Sequence, residues 1–254
     1  MNLVYTARGV RAESLKLKRS LALSAALLVP LFPSFANFAS ALQSHIGRMP
    51  EDPAYLSMWS LYFRYSIKLW TIFAMPVVVA LLSALLADVD YKGKGWKHLF
   101  AMGVPQSAVF AGKWFSLAGL SLVSTLVFAS ANLAGSLSAH YLRPDLGLDF
   151  PIPIGEAYGR PLLAWLLSLF MLSLHQWISL RWPGFLVSLA VGFAASVSNL
   201  FTISSYLFSS SYFSPWALPV QAYEDWRLPL ALSLLGAALV YTAARREFIR
   251  RDIY

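Results

Sequence analysis

Residue types that perform chemistry are thinly spread along this sequence. Its four histidines, His45, His98, His140 and His175, lie far apart and form no His-Glu-x-x-His pair, so a zinc hydrolase of that design is excluded. Gly135-Ser136-Leu137-Ser138-Ala139 lacks the closing glycine of a nucleophile elbow. Ser138 and His140 are two residues apart; on a helix such side chains diverge, so they do not make a serine–histidine pair. Gly112-Lys113 runs into Trp114, and Ser107 stands where a phosphate loop has its first glycine. The chain therefore does not hydrolyse ATP by that route. The lack of cysteine removes disulfides, thiolate metal sites and cysteine nucleophiles. The expectation is a protein without catalytic, cofactor-binding or metal-binding residues of its own.

What remains is polar chemistry inside apolar runs. His175 and Gln176 are the polar groups deepest in theirs. Burying such groups unpaired in lipid is expensive, so they are either functional groups on a path through the membrane or hydrogen-bonded to a neighbouring helix. A second strip comprises Ser196, Ser198, Asn199 and Thr202. It either lines a cavity or knits a helix interface.

The stretch 88–113 has a different character. It is basic and amphipathic, and it interrupts two long apolar runs. Taking 92–102 as a short helix, Trp96, Leu99 and Phe100 share one face at i, i+3 and i+4, while Lys94, Lys97 and His98 lie off it. Gly103 suits a left-handed C-terminal cap, and Pro105 suits the first position of the next helix. An apolar plug ringed by cations is a docking knob for a soluble partner; the plainer reading is an ordinary cytosolic loop.

These candidates need elements to hold them. The chain is 58% hydrophobic and only 13% charged, with mean hydropathy +0.59, whereas a soluble domain is typically about 25% charged. The apolar excess falls in blocks of membrane-spanning length. Spans are expected at about 21–42, 69–87, 114–140, 161–180, 185–208 and 228–244. Pro30, Pro33 and Pro76 fall inside two of them and should bend them. Residues 1–19 form a basic interfacial helix or a solvated basic tail. Residues 209–227, rich in aromatics and prolines, form a short re-entrant or interfacial segment. The net charge of +8 comes from cations flanking apolar blocks, which fits anionic lipid as the partner and not nucleic acid. Of the 20 Lys and Arg residues, only Arg48, Arg64, Lys68, Arg143, Arg160 and Arg227 fall outside when both termini are cytoplasmic. The positive-inside rule thus gives six transmembrane helices with both termini inside. The fold class expected is all-α integral membrane, with 1–254 as one domain.

Two stretches carry a resemblance. The first is Glu13-Ser14-Leu15-Lys16-Leu17-Lys18-Arg19-Ser20, feeding the first apolar run; the second runs from Trp96-Lys97-His98-Leu99-Phe100 through Val104-Pro105-Gln106-Ser107 to Gly112-Lys113. Together they resemble ABC-2-type permeases, the membrane subunits of bacterial ABC exporters. Where many members carry a glutamate after the second span, this chain has Asp88 and Asp90. The resemblance implies a permease of the bacterial cytoplasmic membrane that exports a substrate. It implies two partner ATPase subunits, which bind the ATP and Mg, and a second copy or a homologous permease. Lys94, Trp96, Lys97, His98, Leu99 and Phe100 would then form the coupling helix that docks the ATPase. Small six-span members of this kind look most like those that export antimicrobial peptides or confer immunity to them. The alternatives are a non-transporting membrane anchor or assembly factor, and an intramembrane enzyme.

Overall fold

The computed structural model describes residues 9–11, 13, 16, 20–43, 57–92, 105–148, 151–182, 184–204 and 214–250. Among them all regular structure is helical. Gly9, Val10, Arg11, Glu13 and Lys16 are helical and form a strap ahead of the bundle. Helices α1 (Leu21–Leu28) and α2 (Leu31–Gln43) form the first apolar stretch. Ser20 caps it by accepting from the Leu23 amide at 3.3 Å. The stretch breaks at Val29 and Pro30, as its prolines require. Pro33 has no N–H for the Val29 carbonyl, which accepts from Phe32 instead at 3.2 Å.

The second stretch comprises α3 (Met58–Leu69), a π-turn (Trp70–Ala74) and α4 (Met75–Lys92). The expected span at 69–87 is continuous with the residues before it as one apolar helix, Met58–Tyr91, with no glycine or proline before Pro76. Helix α5 (Gln106–Leu142) has 37 residues and is about 55 Å long at 1.5 Å per residue. It therefore overhangs a hydrocarbon core of about 30 Å. A 3-10 turn (Pro144–Leu146) follows and closes on Gly147 at φ 68°, a conformation that favours glycine.

The expected span at 161–180 is two helices, α6 (Ile154–Leu167) and α7 (Leu169–Arg181), bent by 47° at Ser168. The chain turns at Gly184 into α8 (Phe185–Ser204), passes a 3-10 segment (Leu218–Tyr223), and ends in α9 (Arg227–Arg250). Among the described residues, four helical stretches are long and apolar enough to cross a membrane, and the bent pair makes a fifth if it crosses as one; Phe185–Phe201 is apolar but shorter.

The main core is built on Trp70 stacked against Phe128, with centroids 4.9 Å apart, packed among Leu82, Leu167 and Leu172. A second cluster sits at the end of the bundle that holds Asp90 and Lys113. There Phe110 of α5 meets Leu180 of α7 and Phe248 of α9.

Candidate functional site

Two glycines let the strap approach α5 closely. A Cβ on Gly9 would stand 2.9 Å from the Ala108 carbonyl oxygen, and one on Gly112 would stand 2.9 Å from the Gly9 carbonyl carbon. This backbone contact brings Glu13 over Lys113, one residue beyond Gly112. Lys113 Nζ donates to Glu13 Oε2 at 3.2 Å and to the Leu86 carbonyl at 3.0 Å, and it pairs with Asp90 near the end of α4. Lys16, one helical turn beyond Glu13, donates to Glu13 Oε1 at 2.8 Å and to Asp90 Oδ1 at 2.9 Å.

The result is a neutral quartet of two cations and two anions. Glu13 is 4%, Asp90 3% and Lys113 2% exposed, while Lys16 reaches the surface. Burial pulls the Lys16 ammonium down, but the bonds to Glu13 and Asp90 outweigh it and hold it above its ordinary value. Asp90 and Lys113 stand on either side of the segment between α4 and α5. The quartet therefore ties the helix ends that flank it to the strap. A second grip holds the α5 foot, where Gln176 Nε2 donates to the Phe110 carbonyl at 3.1 Å.

The docking candidates Lys94, Trp96, Lys97, His98, Leu99 and Phe100 lie outside the described residues. His175 and Gln176 are buried in α7. The Trp216 indole can only donate, so His175 Nε2 accepts from it, at 3.0 Å. The ring proton is then on Nδ1, which donates to Ser188 Oγ at 3.2 Å. Ser196 donates to the Phe73 carbonyl at 3.1 Å. Asn199 donates to the Ile72 carbonyl at 3.5 Å and to the Trp216 carbonyl at 2.9 Å. Ser198 is exposed, and the side chain of Thr202 is outside the described residues. Among the described residues, no three His, Asp or Glu side chains gather as a metal site. A cavity of about 420 Å³ opens between α2 and α3, lined by Asn37, Tyr62 and Tyr65 among others; none of the described candidates reaches it.

Glu13, Lys16, Asp90 and Lys113 were quoted in the sequence only as parts of motifs. What pointed to their meeting was placement: Lys113 and Asp90 adjoin apolar runs, where a charge needs a partner. The matching family model, described as ABC-2 family transporter protein, covers residues 10–199. No curated protein and no solved structure matches the chain.

Proposed function

Because the chain belongs to the ABC-2 transporter family, and is therefore a multi-pass membrane permease component that works with ABC ATPase subunits, we propose that it drives export from a bacterial cytoplasmic membrane. In this reading two copies, or this chain and a homologous permease, bind two ATPase subunits through the loop between α4 and α5. Trp96, Leu99 and Phe100 form the apolar plug, and Lys94, Lys97 and His98 surround it. The partner binds ATP and Mg, and its closure pushes the loop. The substrate is an amphipathic compound such as an antimicrobial peptide, and the bundle crosses six times with both termini inside.

The observation that carries this reading is the buried quartet. Because Glu13 and Lys16 of the strap are ion-paired with Asp90 of α4 and Lys113 of α5, a push on the segment between α4 and α5 reaches the strap and both helices together. His175 and Gln176, with the strip Ser196, Ser198, Asn199 and Thr202, are the candidates for the route through the bundle.

The test is gentle purification of the tagged chain from its host, followed by mass spectrometry of what stays bound. A stoichiometric partner with a phosphate-binding loop is expected, and it should be lost when Trp96 and Phe100 are both alanine. Recovery of the same partner with the double variant would refute the docking assignment.

A further inference from the structure

Two polar assemblies face one small void. On one side is the ionic quartet around Lys113. On the other is a chain of side chains inside the bundle. Ser179 donates to Ser83 Oγ at 2.9 Å, Ser83 and Ser188 are 3.0 Å apart, and Ser188 accepts from His175. Between the two lies a cavity of about 10 Å³, lined by Ser83, Lys113, Gln176 and Ser179 together with Leu86, Ala87, Leu117 and Leu180.

Gln176 is the group that makes the void informative. It is 3% exposed. Its Nε2 is used on the Phe110 carbonyl, but its Oε1 is removed from solvent and has no donor among the described residues. Buried amide oxygens left this way are costly. The neighbours do not supply a donor. The Lys113 ammonium is directed at Glu13, Asp90 and the Leu86 carbonyl. The Ser179 hydroxyl gives its hydrogen to Ser83.

We propose that this void is a hydration site holding one ordered water. The water donates one hydrogen to Gln176 Oε1 and the other to Ser179 Oγ. The space suits a single molecule, since a water needs roughly 10–15 Å³ of this measure and two to four polar partners. The polar partners on offer are the orphaned Gln176 amide oxygen and the Ser179 hydroxyl. With the water in place, a hydrogen-bonded seam runs from the foot of α5 through Gln176, Ser179, Ser83 and Ser188 to His175 and Trp216. It joins the loop's foot to the segment ahead of α9. The site stands on cavity and geometry and does not depend on the docking reading.

The test uses the full chain in lipid bilayers with ¹⁵N-labelled glutamine side chains. The sequence has four glutamines, Gln43, Gln106, Gln176 and Gln221, and the Gln176 signal is assigned by its loss in Gln176→Leu. Water-edited solid-state NMR should show transfer from water to the Gln176 amide at mixing times that also reach exposed Gln43. Ser179→Val fills the void and removes an acceptor, so the Gln176 transfer should fall several-fold while the other glutamine signals stay in place. A Gln176 amide that receives nothing from water in the unaltered protein would overturn the proposal. So would transfer that persists unchanged in Ser179→Val.

Discussion

Lys113 holds the quartet together, because its ammonium reaches all of its deeply buried partners at once. Lys113→Met keeps the stem's packing but leaves Glu13 and Asp90 facing each other with only Lys16 between them. The loss expected is about 3–5 kcal/mol, the cost of breaking a buried pair. Pairing Lys113→Met with Glu13→Gln should cost less than the two single changes combined, because the second removes a charge the first has stranded. Thermal unfolding of the four proteins in one detergent reads this cycle; strict additivity would mean that the two side chains do not interact. The quartet was half legible in the sequence. A lysine and an aspartate at the edges of apolar runs announce that partners exist. They do not say which, because Glu13 is 100 residues from Lys113 and only the glycine contact of Gly9 with Gly112 aligns them.

At the scale of elements, irregular turns in the spans are served by polar side chains from other spans. Pro76 cannot donate to the Ile72 carbonyl, and the π-turn before it loosens the ladder further. Asn199 and Ser196 of α8 supply the donors, to Ile72 and Phe73. The bend at Ser168 is treated in the same way, since Ser233 of α9 hydrogen-bonds to the Leu166 and Leu167 carbonyls at 3.0 Å each. Gly236 leaves room beside it for the Phe170 ring, where a Cβ would come within 2.5 Å. In lipid, broken helix is tolerated where neighbours satisfy the freed groups. Asn199→Leu should therefore destabilise the fold by about 1–3 kcal/mol, the usual cost of orphaned buried acceptors. It should also loosen the segment holding Trp216, detected as faster hydrogen exchange over 214–223. An unchanged exchange rate there would show that Asn199 does not hold the segment. The interruption at Pro30 and the loosened turn before Pro76 were readable from the prolines. The bend at Ser168 was not, because it sits in an unbroken apolar run and the serine that serves its carbonyls lies more than 60 residues later.

For the whole molecule, the helices run longer than the apolar stretches that hydropathy marks. Helix α9 has 24 residues and is about 36 Å long, against a core of about 30 Å. Its last turns bury Phe248 against Phe110, so its overhang stands at the end of the bundle that carries the quartet. In the proposed orientation the cation bias puts that same end in the cytoplasm. The proposed orientation has an even number of crossings, and helix packing and charge asymmetry bear on it independently. The natural absence of cysteine makes this testable one residue at a time. Ile154→Cys and Asp225→Cys should react with a membrane-impermeant maleimide in intact cells. Trp182→Cys and Arg250→Cys should react only after the membrane is opened. All four native residues are exposed in the structure, so a silent site reports sidedness and not burial. Labelling of Arg250→Cys from outside would mean that the bundle is inverted. The overhang of α9 and the foot of α5 would then have to lie on the outer side, away from any ATPase.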